Sequence, residues 1–135
     1  MSARPLRVWG LTAIGALMLL LTGAGLALQH GDAHDGFVAV AQASDLAPGQ
    51  MTFVAVERER IVLANVDGAF YALRDVCGHR NAPLSKGRLD GCVIECPLHF
   101  AQFDVRTGKL IDGPVSADVP AYEVRVEAGT VYLKR

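Results

Sequence analysis

From residue 37 onward the chain falls into short runs of Val, Ile, Leu, Phe and Tyr separated by turn-forming residues at close intervals, the texture of an antiparallel all-β domain. The pattern predicts strands over 37–41, 52–57, 60–65, 69–73, 92–95, 102–104, 109–111, 122–127 and 130–134, and leaves little room for helices. Asp67-Gly68 between two apolar runs signals a two-residue type I′ hairpin, and Ala128-Gly129 turns the last hairpin. Tyr122, Val124 and Val126 alternate onto one face, as do Val131 and Leu133, so the end of the chain is expected to close a sandwich or small barrel.

The first 36 residues follow another pattern. Positions 8–28 (VWGLTAIGALMLLLTGAGLAL) run for twenty-one residues without a charge, which as a helix is roughly 30 Å, the thickness of a bilayer core. Arg4 and Arg7 precede this run, no Lys or Arg follows until Arg58, and Asp32, Asp35 and Asp45 lie beyond it. By the positive-inside bias the sequence predicts a cytoplasmic tail (1–7), one transmembrane anchor (8–28), a linker (29–36) and a β domain (37–135) on the periplasmic side of the inner membrane. A cleaved signal peptide is the alternative, because the basic start and the small-x-small triplet Gly25-Leu26-Ala27 are also present, although the run exceeds the usual ~7–15 apolar residues. His30, Asp32 and His34 in the linker are read as a solvated flank, since a floppy loop offers a metal no preorganised site.

Composition narrows the function. Thirteen Lys and Arg against fourteen Asp and Glu give a net charge of −1, with no basic excess to neutralise a phosphate backbone, which excludes nucleic acid as the expected partner. Three cysteines are an odd number and too few for a disulfide scaffold, so a special cysteine here is a metal ligand or a thiol. Cys77 and His79 form a C-x-H pair, sixteen residues intervene, and Cys96 and His99 form a C-x-x-H pair. Two loops, each with a thiolate and an imidazole, can converge on a tetrahedral zinc. They can equally hold a [2Fe-2S] cluster with the two Cys on one iron and the two His on the other. Spacing leaves both readings open, although each segment mixes ligand types where the usual zinc finger segregates them. Cys92, in the predicted strand 92–95, is expected to be a buried, inert thiol.

Cys77-Gly78-His79-Arg80-Asn81-Ala82-Pro83-Leu84-Ser85, then Cys96-Pro97-Leu98-His99, Phe103-Asp104 and Thr107-Gly108, resemble the Rieske [2Fe-2S] ferredoxins and Rieske-type oxygenase components from about residue 37 to the end of the chain. The resemblance implies an all-β Rieske-type sandwich carrying a small cluster-binding subdomain. It implies one cluster, with Cys77 and Cys96 on the inner iron and His79 and His99 on the outer, more exposed one. Gly113-Pro114 resembles the family's third loop, which shields the cluster from water.

Departures from one branch of the family sharpen the expectation. The quinol-oxidising branch has an additional Cys in each ligand loop, where this chain has Ala82 and Leu98, and a Ser and a Tyr that donate to sulfur, where it has Ala101 and Phe103. Fewer donors aimed at the sulfurs destabilise the reduced form, so the midpoint is expected toward the low end of the range of about −150 to +300 mV. Arg80 and Lys86 are read as solvated charge near the site, the alternative being a docking face for an anionic partner. No paired-carboxylate, nucleophile–base or phosphate-loop arrangement supports independent catalysis. The expected function is therefore a membrane-anchored ferredoxin that takes single electrons from a redox donor and passes them to an oxygenase or other redox acceptor. The alternatives are a redox subunit held by partner subunits in a larger respiratory or photosynthetic membrane complex, and a zinc-stabilised binding module. Arg4-Pro5-Leu6-Arg7 is not a twin arginine, so export of a loaded cluster to the periplasm has no recognisable signal here.

Overall fold

The computed structural model describes residues 34–78 and 81–135. The expected tail, anchor and most of the linker, with His30 and Asp32, lie outside the described residues, among which no helix is long and apolar enough to cross a membrane.

Eleven strands follow: β1 (Phe37–Gln42), β2 (Met51–Val56), β3 (Glu59–Val66), β4 (Ala69–Arg74), β5 (Arg88–Asp90), β6 (Val93–Glu95), β7 (Gln102–Asp104), β8 (Leu110–Asp112), β9 (Ala121–Tyr122), β10 (Val124–Glu127) and β11 (Thr130–Lys134). They form three antiparallel sheets, ordered β1-β11-β10, β2-β3-β4-β9 and β5-β6-β7-β8. The first two make the base and the third carries the candidate site.

Alternation along β3 explains how the sheets stack. Ile61 to Asn65 are all buried, and successive side chains point to opposite faces. Ile61 and Leu63 join Ala72, Val131 and Leu133 in the core between the two base sheets. Val62 and Ala64 join Leu73, Ile94, Phe103 and Val105 in a second core beneath the third sheet. Each large apolar side chain so buried contributes about 1.5–3 kcal/mol. The polar exception, buried Asn65, donates through Nδ2 to the Leu46 carbonyl (2.8 Å) and accepts through Oδ1 from the Gly68 N–H (2.8 Å).

Asp67 (φ 52°) and Gly68 (φ 90°), like Ala128 (φ 48°) and Gly129 (φ 78°), are left-handed at both central positions, as type I′ turns require. Three expectations are corrected. The run 122–127 is not one strand: Tyr122 pairs with Ala72 in the second sheet, the chain changes sheets at Glu123, and β10 pairs with β11. Tyr122 stays behind because its hydroxyl donates to Glu59 (2.9 Å), while Val126, on an edge strand, is exposed. Cys92 lies in the Gly91-Cys92 turn between β5 and β6, half-buried rather than buried. Strand β5, whose three residues Arg88-Leu89-Asp90 hold one apolar position, is too short to alternate visibly and is not predicted.

The turn before the third sheet approaches it backbone to backbone. Gly87 lies so close to β6 that a Cβ there would collide with the Glu95 carbonyl oxygen. Gly87→Ala is expected to destabilise the domain by about 1–3 kcal/mol through overpacking, read as a lower urea midpoint; an unchanged midpoint would mean the two segments can part at no cost.

Candidate metal centre

Two loops of matching build meet at the end of the third sheet. The first leaves β4, and its Cys77 N–H donates to the Ala82 carbonyl (2.7 Å). The second leaves β6, and its Cys96 N–H donates to the Ala101 carbonyl (2.8 Å). Each cysteine thus closes a loop onto the residue five positions later, a small buried alanine in both cases. The residue before each alanine, Asn81 (φ 52°) or Phe100 (φ 58°), is left-handed, and so is His99 (φ 63°).

Cys77 and Cys96 are both fully buried in the second core, beside Leu84, Ile94 and Phe103. They interact with each other through their thiols and form no disulfide. Burial pushes the Cys96 thiol up to about 11, with the Cys77 thiol adding to the rise and the Leu98 backbone N–H opposing it. A thiolate buried at Cys96 needs a cation to balance it. An iron–sulfur group supplies that charge, so the donor pair fits such a group. His99 is exposed, on the same loop as Cys96. His79 and Arg80 lie outside the described residues, and among the described ones no three His, Cys, Asp or Glu side chains gather into a metal site.

The third loop follows β8. At Gly113 (φ 127°) the backbone rests against Ala101, and a Cβ there would collide with the Ala101 backbone and methyl. Asp112 accepts from the Gly113 N–H (2.8 Å) and Asp118 from the Leu110 N–H (2.9 Å), fixing both ends of the loop. A hollow of about 310 Å³, lined by Gly78 and by Pro114 to Ala117, separates this loop from the first.

A residue that sequence reasoning missed holds the first loop in place. Asp75, with no side-chain exposure, accepts through Oδ1 from the Ser85 N–H (2.6 Å) and through Oδ2 from Ser85 Oγ (2.7 Å) and Arg60 Nη2 (3.0 Å). Arg60 in turn lies over the Phe53 ring, 3.8 Å from its centroid. Asp75 and Ser85 therefore bracket the segment that contains Cys77 and His79. The available signal was an acidic residue two places before the first cysteine and a Ser after the loop. On the far side, Arg106 grips Asp104 through two bonds (3.0 and 2.7 Å) and holds its carboxyl below the usual range, while the Asp104 carbonyl accepts from Gly108 N–H (2.7 Å). The F-D-x-x-T-G run is thus a turn brace. Lys86 is exposed.

Residues 36–123 match the family model described as Rieske [2Fe-2S] domain. The chain is 42% identical over 84 residues to the ferredoxin component of the naphthalene 1,2-dioxygenase system of Pseudomonas putida, covering 62% of this chain and 81% of that protein. It is 39% identical over 94 residues to the biphenyl 2,3-dioxygenase ferredoxin component of Rhodococcus jostii, covering 70% and 88%. Among solved structures, the ferredoxin of carbazole 1,9a-dioxygenase from Nocardioides aromaticivorans superposes with a TM-score of 0.70 at 33% identity, covering 73% of this chain and 96% of that one. A chain from a complex of reduced oxygenase and oxidised ferredoxin in carbazole 1,9a-dioxygenase gives 0.70 at 38% identity, covering 75% and 94%.

Removing the Asp75 carboxylate strands the two Ser85 donors, so Asp75→Ala is expected to cost about 2–4 kcal/mol, read by urea unfolding, and to lower the iron content of the purified protein. Asp75→Asn, which keeps an acceptor for one of them, is expected to recover part of both. Full iron content and an unchanged unfolding midpoint in Asp75→Ala would remove Asp75 from this role.

Proposed function

The chain belongs to the Rieske [2Fe-2S] domain family, and from that premise we propose that it is a membrane-tethered ferredoxin delivering single electrons to the terminal oxygenase of an aromatic-ring dioxygenase system. That it is a Rieske ferredoxin with one [2Fe-2S] cluster, of the kind that carries electrons to an oxygenase, follows from the family match and from relatives that are themselves ferredoxin components of dioxygenases. With the cluster assigned, the zinc-module alternative is set aside. The observation in this chain that supports the placing of the cluster is the pair of unbridged, mutually interacting, fully buried thiols of Cys77 and Cys96.

We assign Cys77 and Cys96 to the inner iron and His79 and His99 to the outer one. When bound, the cluster supplies a one-electron carrier. The chain supplies the rest. Asp75 and Ser85 fix the first ligand loop, and Gly113 lets the third loop lie against the second. Ala101 and Phe103 are fully buried and have no hydroxyl to donate toward the sulfurs. An additional negative charge at this place therefore meets little stabilisation from them, which suits delivery of electrons to an oxygenase and suits quinol oxidation poorly.

The anchor at 8–28 and a periplasmic position for the domain remain part of the proposal, supported by the uncharged run and by the arginines that precede it.

Two outcomes are expected. A redox titration followed by low-temperature EPR should give a mixed His/Cys cluster signal with a midpoint in the low part of the range, toward about −150 mV, and a value above about +200 mV would contradict the reading. Protease added to intact spheroplasts should digest the β domain while 1–28 stays with the membrane; full protection would place the domain in the cytoplasm.

A further inference from the structure

Among the described residues Asp75 is the one charged side chain that is buried, with no side-chain exposure at all. It stands two positions before Cys77 and holds Ser85, whose neighbour Leu84 packs in the same core as Cys77 and Cys96. Stability gives no reason to place a charge here, because apolar side chains in place of a buried ion pair are often neutral or stabilising. Holding Ser85 does not need one either, since a neutral carbonyl accepts from an N–H and from a hydroxyl as well.

A charge in this place does act on redox chemistry. An electron arriving at the cluster adds negative charge, and a carboxylate in a core of low dielectric opposes it more strongly than one in water. The counter-charge sets the size of that opposition. Among the described residues Arg60 is the one cation bonded to Asp75, through Nη2 (3.0 Å) and Nε (3.3 Å). Its side chain is 44% exposed, and the Phe53 ring, 3.8 Å from the guanidinium carbon, limits where the charge can go. Resting on the cluster placement proposed above, we infer that Arg60 acts on the cluster through Asp75. Held by Phe53, it neutralises the carboxylate, so that the reduced cluster faces a balanced pair and the midpoint is higher than a bare carboxylate would allow.

The test uses the full-length holoprotein, with EPR-monitored redox titration, iron content and urea unfolding as readouts. At a fixed potential, Arg60→Gln is expected to lower the reduced-to-oxidised ratio by about threefold or more, and Asp75→Asn to raise it by as much. The first leaves a carboxylate without its cation and the second a guanidinium without its anion. The double variant should return to within about twofold of wild type, because the two charges act as a unit. Arg60→Lys keeps the charge, loses the planar fork and should also stay within about twofold. Phe53→Leu should move the midpoint in the direction of Arg60→Gln and by less. Arg88→Gln is the control at the second ligand loop. Arg88 is 67% exposed and 3.6 Å from Glu95, which precedes Cys96, so water screens that pair and the shift should be smaller.

Shifts of the same sign in Arg60→Gln and Asp75→Asn, or lowered unfolding midpoints with an unmoved potential, would reduce the pair to a structural brace and overturn the inference. Equal shifts in Arg60→Gln and Arg88→Gln would assign the effect to net charge and overturn it as well. Should Arg60→Gln lose its iron, Asp75→Asn and Phe53→Leu decide by the same signs. A wild-type protein without a mixed His/Cys signal would overturn the cluster placement, and the inference with it, before any variant is compared.

Discussion

Strand β3 is buried on both faces, and the rest of the structure depends on that double burial. Ile61 and Leu63 point into the base, and Val62 and Ala64 into the core under the candidate site. A strand with one wet face could have closed the base sandwich and left the site sheet as a loose appendage. Because β3 belongs to both cores, displacing the site sheet uncovers residues whose neighbours hold the base together. Strand β4 repeats the device, with Ala72 in one core and Leu73 in the other. Leu73 and the chain that follows it lead directly to Asp75 and Cys77, so the first ligand loop starts from the most constrained part of the fold.

The thiols are therefore members of a hydrophobic core, lodged among Leu84, Ile94 and Phe103. Such a place is hostile to thiolates, as the raised Cys96 thiol shows. The polar bonds that make it workable lie at its margins. Each cysteine N–H is satisfied by an alanine carbonyl of its own loop, and Asp75 carries the first loop's load to Ser85 and Arg60. Arg60 is partly exposed, so the charge of buried Asp75 is balanced by a guanidinium that keeps contact with water. That arrangement avoids most of the desolvation cost of a wholly buried ion pair.

What could be read in the sequence and what could not divide along physical lines. Apolar runs of five or more residues bounded by turn residues located β1 to β4 and β11 to within two residues, and the Asp67-Gly68 and Ala128-Gly129 turns were legible because their left-handed geometry restricts the residues that fit. Strand β5 has one apolar residue and is held through its neighbours, which no local window records. The sheet change at Glu123 depends on Tyr122 reaching Glu59, 63 positions away. The ligand motifs stand out because few chemistries need those residue types at that spacing. Asp75 does not, because a carboxylate at a strand end is ordinary until Ser85 and Arg60 are brought to it.

Packing and redox poise are joined at Ala101 and Phe103. Both are wholly buried: Ala101 lies beneath Gly113 of the third loop, and Phe103 fills the core next to the thiols. A hydroxyl at Ala101 would have to share its space with the Gly113 backbone, and one on Phe103 would need a partner inside an apolar core. The close approach of the third loop and the absence of hydroxyl donors at these two positions are thus two consequences of one choice of small and apolar side chains. The small and apolar side chains thus keep Cys77 and Cys96 buried while His99, three residues beyond Cys96, is exposed on the same loop.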